Sequence, residues 1–308
     1  MGGEGNMSAL RVDLTGESEP RFSAPPEREV QVHYSGGFFR KHGLFKWVDA
    51  FELGTAGYRD TINLDDMFST DAPFNAHTIM FVAEAMARIY NRRGYGSIHL
   101  GGEVRRFTSE IIALVSRVFA AHGITVHLHA DRATTPIWAS SFGVFYNELD
   151  GGGNVTASHS QGFKQGFKPM DGKGMQLLDM ADEIREEVRR IGKEAAGEGF
   201  TLTLSPADSS LIRKDFRYLQ AYVEYLRKIV PQEAIEIIRR AQEAGMRVGA
   251  STVGGSMHEN SVPIFEAFGI TTGPEGMIRY MHWEKRDDFH HVGEIGGEDY
   301  GCDPTKPI

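Results

Sequence analysis

The sequence predicts a layered α/β protein of about two domains. Predicted helices and strands alternate along the body of the chain, which is typical of sheets covered by helices. The length of 308 residues also suits two domains at about 150 residues each. Hydrophobic residues make up 41% of the chain and charged residues 24%, so the composition excludes the disordered and collagen-like classes.

The first predicted unit covers residues 46–198. Its helices are bounded by capping or breaking residues and are expected at 73–94, 108–123 and 136–145. In the first helix, apolar residues recur at a spacing of three to four: Ile79, Val82, Met86 and Ile89. In the second helix, Thr108 is the expected N-cap. Strands are expected between the helices, at 97–100, 124–129 and 154–157.

The second predicted unit covers residues 199–292. A long charged helix, from Leu177 to about Lys193, leads to the glycine-rich boundary at 197–199. Beyond it the pattern begins again, with a helix on each side of Pro231. A strand and a short helix follow, at 246–250 and 262–268. The sequence therefore predicts a second, smaller α/β unit.

Both ends of the chain are predicted to lie outside these units. Residues 1–45 are expected to be a mostly flexible N-terminal extension, because Pro20, Pro25 and Pro26 block regular structure. Within it, the segment 30–39 could add an edge strand to a sheet. Residues 293–308 are rich in Gly, Asp and Pro, and no core is predicted in this tail.

Charge and cysteine content limit the partners and the compartment. With 33 basic and 42 acidic residues the net charge is −9, so a nucleic-acid partner is not expected and an anionic substrate needs a local positive cluster. The single cysteine, Cys302, allows no internal disulfide, which suits a reducing cytosol. No run approaches the roughly 18 apolar residues of a membrane span, and a cytoplasmic location without a membrane partner is expected.

The first motif that could bind a ligand is residues 51–60. Gly54 and Gly57 let the backbone approach a ligand closely, and Arg59 offers a planar fork for a phosphate. The alternative is an ordinary glycine turn before a surface arginine.

The second motif is the segment Thr156-Ala157-Ser158-His159-Ser160, which follows a predicted strand end. Ser158 could carry a covalent phosphoryl group, and Lys164 and Lys168 would compensate the charge of that dianion. The alternative is a polar loop in which Ser158 caps the next turn. A Ser-His-Asp hydrolase is disfavoured, because no Gly-x-Ser-x-Gly elbow surrounds this serine.

The third motif, residues 253–257, either cradles a phosphate or only turns the chain between a strand and a helix. Other candidates are weaker. His127 and His129 share a strand face, but no third metal ligand is evident in the sequence. No P-loop or Gly-x-Gly-x-x-Gly follows a predicted strand, so nucleotide binding has no support.

Taken in order, the motifs resemble those of the α-D-phosphohexomutase family, the phosphoglucomutases and phosphomannomutases. The matching segments cover about residues 50–270: Gly54-Thr55-Ala56-Gly57-Tyr58-Arg59, Gly101-Gly102-Glu103-Val104-Arg105, Thr134-Thr135-Pro136, Thr156-Ala157-Ser158-His159, Gly166 with Lys168, and Val253-Gly254-Gly255. The resemblance implies two phosphohexomutase-type α/β domains with mixed sheets flanked by helices.

The resemblance also implies roles for individual residues. Ser158 would be the phosphoserine, with Arg59 and Lys168 as the acid/base pair beside it and His159 in contact with phosphate or substrate. The substrate-binding residues would be Thr55, Gly57 and Lys164. The ligands implied are a hexose phosphate as substrate, a hexose 1,6-bisphosphate as activator and a Mg²⁺ bound partly through the Ser158 phosphate. The implied reaction moves phosphate between the 1- and 6-positions of a hexose.

The sequence departs from the family pattern in the serine loop and in length. Ser160-Gln161 stands where Asn-Pro is usual, Gln165 replaces an asparagine, and Asp60 replaces a glycine. The aspartate metal loop of the family's third domain and the phosphate loop of its fourth are not in the sequence. The chain thus resembles an N-terminal half, whose tail leads towards a missing third domain. The missing domains could come from a second polypeptide, and self-association, a truncated chain and an inactive sugar-phosphate-binding or protein-interaction relative are the open alternatives.

Overall fold

A computed structural model describes residues 8–54, 57–131, 134–176 and 180–301 of the chain. Thr55, Cys302 and the predicted helix start at Leu177 lie outside these residues. The helices are α1 (Gly36–Lys41), α2 (Leu44–Ala50), α3 (Ala76–Arg93), α4 (Thr108–Ala121), α5 (Ile137–Tyr146), α6 (Ala181–Ala196), α7 (Leu219–Ile229), α8 (Gln232–Glu243) and α9 (Met257–Ala267). The strands are β1 (Leu10–Leu14), β2 (Val30–Tyr34), β3 (Tyr58–Thr61), β4 (Ser97–Gly102), β5 (Thr125–His129), β6 (Gly151–Val155), β7 (Lys164–Asp171), β8 (Phe200–Leu204), β9 (Ile212–Phe216), β10 (Val248–Ser251), β11 (Ile278–Met281), β12 (Glu294–Ile295) and β13 (Glu298–Asp299).

A six-stranded mixed sheet forms the centre of the first unit. Its strand order is β3-β7-β6-β4-β5-β9. The strands β6, β4, β5 and β9 run parallel to their neighbours in that order, whereas β7 is antiparallel to both β3 and β6. The loops that leave β4 and β6 therefore emerge at the same edge of the sheet, next to the start of β7.

A layer of helices separates this sheet from a second, three-stranded sheet. Helix α4 packs against β4, β5 and β6 of the large sheet and against β8 of the small one. Helix α3 is buried on all sides except near its C-terminus, as expected for a helix enclosed by neighbours. Its ends agree with the prediction, since Asn75 caps its N-terminus through His77 and Thr78 and Gly94 closes its C-terminus with a φ of 72°.

The predicted flexible extension contains regular structure from β1 to α1. Strand β2 is the central strand of the small sheet, not an edge strand, and Val30, Val32 and Tyr34 are fully buried. The Tyr34 hydroxyl lies 3.0 Å from His77 Nδ1, and His77 Nε2 lies 2.8 Å from the carbonyl oxygen of Pro20. The alternating apolar residues of β2 thus outweigh the prolines around it, because they join the core of the first unit.

The sheets do not divide at the boundary predicted between residues 198 and 199. Strand β8 pairs with β2 and β9 pairs with β5, so residues 200–216 complete the two sheets of the first unit. Thr108 is the first residue of α4 and not its cap, since Phe107 stands at the N-cap position.

The second unit is smaller and has little core of its own. The parallel pair β10 and β11 packs with helices around a cluster of three buried residues: Ile270, Met277 and Ile278. Helices α7 and α8 each bury a single residue, Val223 and Ile235. No helix within the described ranges is both long and apolar enough to cross a membrane.

The first unit is expected to lose stability as the pH falls, because it buries a neutral histidine. Burial lowers the pKa of His77 from 6.5 to about 4, so below about pH 6.5 the unfolded chain binds the proton first. In His77→Gln, the fall in the free energy of unfolding between about pH 6 and pH 4 should become shallower by up to about 1.4 kcal/mol per pH unit. Urea titrations at several pH values measure this slope, and a slope that the substitution leaves unchanged would contradict the assignment.

Candidate active site

The site is built on residues 156–164, called here the serine loop, which connect β6 to β7 and include the first residue of β7. Ser158 is exposed and has a φ of 60°, in the left-handed region that a serine rarely occupies. Its amide donates to Thr156 Oγ1 (3.0 Å), and its Oγ lies 3.4 Å from His159 Nδ1. The hydroxyl is therefore presented to solvent at the end of a fully buried strand.

Arg105 holds this loop from inside. Its two terminal nitrogens donate to four loop carbonyls at 2.7–3.0 Å: those of Ser158, Ser160, Gln161 and Lys164. Its Nε donates to Glu103 Oε1 at 2.9 Å, so all five N–H groups of the guanidinium have partners. The side chain is 1% exposed. Arg105 thus fixes the course of the serine loop and has no donor left for a ligand.

Glu103 neutralises this buried cation and anchors the beginning of the loop. Besides Arg105, Glu103 Oε1 accepts from the Ala157 amide at 3.1 Å and from the Thr156 hydroxyl. One carboxylate oxygen therefore joins the exit of β4 to the residue that precedes Ser158.

Arg59 and Lys168 lie at the edge of the sheet where the serine loop begins. Arg59 Nη1 donates to the carbonyl of Ala157 at 3.3 Å, and Lys168 pairs across the sheet with Asn154. Lys168 is buried, with 8% of its surface exposed, while Arg59 is exposed. Burial lowers the pKa of the Lys168 amine, the charge of Arg59 lowers it further, and Glu103 opposes the shift. The structure thus places Arg59 against the residue before Ser158 and close enough to Lys168 to lower the pKa of its amine.

The residues that the resemblance assigns to substrate binding differ in their surroundings. Gly57 has a φ of 83°, and a Cβ on it would lie 2.3 Å from the carbonyl oxygen of Phe167, so this glycine is required by its close approach to β7. Lys164 begins β7 and is partly exposed. Thr55 lies outside the described residues.

Gln165, one of the departures from the family pattern, has a structural role. Its side chain is fully buried, and its amide nitrogen donates to the carbonyl of Arg106 (3.0 Å) and to Thr108 Oγ1 (3.2 Å). Its amide oxygen accepts from the Gly166 N–H at 3.0 Å. Gln165 therefore connects the start of α4 to β7.

The segment from Glu284 to Gly301 supports the outer side of the serine loop. The Phe289 ring lies 4.7 Å from the Arg105 guanidinium carbon, and Asp299 Oδ2 accepts from the Gly162 amide at 2.9 Å. A cavity of about 120 Å³ separates the serine loop from the glycine turn at residues 252–255. The third sequence motif thus faces the second one across a small gap.

The described residues provide few ligands for a metal ion. No three His, Cys, Asp or Glu side chains in the described part of the chain are grouped so that they could hold one. Ser158 Oγ is a single ligand, and a hard cation such as Mg²⁺ requires about six oxygens. These residues alone therefore do not make a Mg²⁺ site.

Comparison with known protein families identifies the part of the chain that carries these residues. Residues 50–195 match the family described as phosphoglucomutase/phosphomannomutase, alpha/beta/alpha domain I. This part of the chain is a phosphohexomutase domain I. The matched residues contain Arg59, the serine loop and Lys168, so the three side chains at this edge of the sheet lie within the phosphohexomutase domain I.

The curated relatives are considerably longer than this chain. A phosphoglucomutase of Staphylococcus aureus (strain USA300) is 26% identical over 238 residues, which are 74% of this chain and 38% of that protein. One of Komagataeibacter xylinus is 24% identical over 237 residues, 71% of this chain and again 38% of that protein. The chain therefore spans well under half the length of these phosphohexomutases.

A solved structure confirms the α/β fold. The open form of parafusin, a phosphoglucomutase from Paramecium, superimposes with a TM-score of 0.59 at 15% identity. The match covers 78% of this chain and 44% of parafusin.

Glu103 and Arg105 lie within one of the sequence motifs, but the motif indicates no role for either residue. They support the loop because four backbone carbonyls converge on the Arg105 guanidinium, and no spacing in the sequence reveals that arrangement. The available signal was the pair itself, since an acidic and a basic residue two positions apart directly follow the buried strand β4.

Replacing Arg105 by lysine is expected to loosen the serine loop while keeping the positive charge. Lysine has three donors on one atom and cannot reach carbonyls on both sides, so we expect a loss of about 2–4 kcal/mol in the free energy of unfolding. Hydrogen exchange should accelerate at the amides of residues 156–164. The control is Arg106→Lys at the exposed neighbour, which should change the free energy of unfolding by less than about 0.5 kcal/mol. Equal effects of the two substitutions would contradict the role of Arg105.

The pKa of the Lys168 amine should respond to its two charged neighbours in opposite directions. Arg59→Gln removes a repelling cation and should raise this pKa, but not to its ordinary value, because burial is the larger cause of the shift. Glu103→Gln removes an attracting carboxylate and should lower it further. Titration of the Lys168 side chain by NMR measures both changes, and a shift in the same direction for both variants would rule out this electrostatic arrangement.

Proposed function

We propose that this chain carries the phosphoryl-transfer serine of a phosphohexomutase, with Ser158 as the residue that accepts and returns the phosphoryl group. The observation that supports this most strongly is the hydrogen bond from Arg59 to the carbonyl of Ala157, directly before the exposed Ser158, together with the electrostatic effect of Arg59 on the buried Lys168. The substrate is proposed to be a hexose phosphate, and the reaction an interconversion of its 1- and 6-phosphates.

In the proposed reaction, a phosphoryl group moves between Ser158 Oγ and an oxygen of the sugar. Ser158 Oγ forms a bond to the phosphorus of a hexose 1,6-bisphosphate, and the bond from that phosphorus to the sugar oxygen breaks. The hydroxyl proton of Ser158 leaves, and the sugar oxygen gains a proton. When the transferred group is the 1-phosphate, the product is a hexose 6-phosphate. The phosphoserine then transfers its phosphoryl group to the free 6-hydroxyl of a hexose 1-phosphate, whose proton leaves while the serine oxygen gains one. The bisphosphate and the serine hydroxyl are thereby regenerated.

Lys168 and Arg59 are proposed to handle these protons and the charge. The lowered pKa of Lys168 increases the fraction of neutral amine, which can take up a proton and give it back. The guanidinium cation of Arg59 attracts the transferring phosphoryl group. Lys164 and His159 are proposed to contact phosphate or substrate at the margin of the loop. Arg105 is a positioning residue, because loop and Glu103 oxygens occupy all its donors.

Magnesium dependence is general among phosphoglucomutases, and a Mg²⁺ is proposed to bind through a Ser158 phosphate oxygen. Such an ion would spread the negative charge of the transferring group. Because the described residues supply no further cluster of ligands, the remaining ligands are proposed to come from beyond them.

Further domains are proposed to complete the enzyme, since relatives of this chain are more than twice as long as the region matched. A second polypeptide, or a second copy of this chain, would cover the apolar surface that the missing domains leave exposed. The second unit offers apolar side chains for such a contact, all more than two-fifths exposed: Tyr225, Ile229, Ile237, Met281 and Trp283. A cytoplasmic location is proposed with this assignment.

The proposed function is tested by the mass of the protein after incubation with glucose 1,6-bisphosphate. We expect the intact chain to gain one phosphoryl group and peptide mapping to locate it on Ser158. Ser158→Ala should abolish the gain, while the control Ser160→Ala, two residues along the same loop, should retain it. A chain that folds but gains no phosphoryl group would instead indicate an inactive sugar-phosphate-binding or protein-interaction relative.

A further inference from the structure

A second cavity of about 490 Å³ lies between α2, β3 and the segment that precedes α3. Its volume is within the range of roughly 300–1,000 Å³ that small-molecule sites occupy. Three aromatic residues, Trp47, Phe51 and Tyr58, form one wall, with ring centroids 5.1–6.0 Å apart. The residues of the serine loop do not line this cavity.

The aromatic wall is rigid and its polar atoms already have partners. Trp47 Nε1 donates to the Tyr58 hydroxyl at 2.9 Å, and that hydroxyl donates to the Pro73 carbonyl at 2.7 Å. Phe51 and Tyr58 are buried, whereas Trp47 is partly exposed at the cavity. The rings meet at angles of 49–69°, so they form no parallel slot for a planar base. The wall is suited instead to the C–H face of a non-planar ring.

Charged side chains of both signs surround the opening. Lys46 and Arg59 line the cavity from α2 and β3, and Asp60 and Asp71 line it beside them. A third carboxylate in the lining, Glu52, is paired with Arg185 at 3.2 Å. Each aspartate carboxylate has one oxygen engaged, Asp60 by the Thr61 amide (2.8 Å) and Asp71 by the Ser69 hydroxyl (3.0 Å). The second oxygen of each can accept from a ligand hydroxyl, while the two cations can hold an anionic group.

We propose that this cavity is a second ligand site, which binds a hexose monophosphate. The partly exposed Trp47 ring of the aromatic wall contacts the sugar ring. Asp60 and Asp71 accept from the sugar hydroxyls, and Lys46 with Arg59 pairs with the phosphate. Because Arg59 Nη1 also donates to the carbonyl of Ala157, a ligand in this cavity acts on a side chain that contacts the serine loop. The site thus provides a physical route from sugar phosphate concentration to the reactivity of Ser158.

The test follows Trp47 in the full chain labelled with 5-fluorotryptophan. The chain has three tryptophans, and Trp→Phe substitutions at each assign their fluorine NMR signals. We expect glucose 6-phosphate to shift the Trp47 signal saturably, and Lys46→Ala to weaken this binding about tenfold, as for the loss of one charge-assisted hydrogen bond. Lys228→Ala, at an exposed lysine of α7, is the matched control and should leave the affinity unchanged.

Further arms separate this site from the serine loop. Ser158→Ala and Lys164→Ala should leave the Trp47 response intact, so the result does not depend on whether Ser158 becomes phosphorylated. Unphosphorylated glucose should bind at least about tenfold more weakly than glucose 6-phosphate. A Trp47 signal that does not move, an affinity insensitive to Lys46→Ala, or equal binding of adenosine monophosphate would each overturn the proposal.

Discussion

The serine loop depends on one buried guanidinium. Four carbonyls of the loop turn towards Arg105, and because they do so the side chains of Ser158 and His159 lie on the outside of the turn. The left-handed conformation of Ser158 is unfavourable by itself, and it persists where the surroundings fix both ends of the loop. Arg105 and Glu103, which follow the neighbouring strand β4, fix the loop in this conformation. Phe289, from the C-terminal segment 284–301, packs over the guanidinium.

The sheet below the loop is densely packed because strand β6 contains glycines. Strand β6 begins with three glycines, and a Cβ on Gly153 would lie 2.3 Å from the Phe167 ring. Their absent side chains let large residues of β7 and the adjacent helices fill the space, so the strand is buried throughout. A reactive side chain at the end of such a strand is held by the core and not by the loop alone.

The sequence predicted the elements whose ends carry local signals. Helix α3 is bounded by Asn75 and Gly94, and these residues act in the structure as their chemistry suggests. Strand β6 was predicted only from Asn154 onwards, because a run of glycines has a low strand propensity that tertiary packing overrides. Strand β1 was assigned to a mostly flexible extension, and residues 30–39 were expected to add at most an edge strand. The central position of β2 was missed because its partner β8 lies far away in the sequence.

The reactive residues of the candidate site could be predicted because each of them lies in a short sequence motif. Ser158, Arg59 and Lys168 were selected from three such segments, and the structure brings them to one edge of the sheet. The supporting residues were not assigned, since a buried arginine and a surface arginine look the same in a sequence: Arg105 is buried, and its neighbour Arg106 is exposed.

The pairing of β2 with β8 also has a consequence for synthesis and folding. Val30 lies opposite Leu204, so the small sheet joins the beginning of the first unit to its last strands. On the ribosome, β2 is made long before its partner, and its apolar face cannot be covered by that partner until residue 204 has emerged. Contacts this distant in sequence also slow folding, because a long loop must close before they can form. The first unit is therefore expected to complete its fold only after β9 has emerged, with β2 the segment most in need of protection until then.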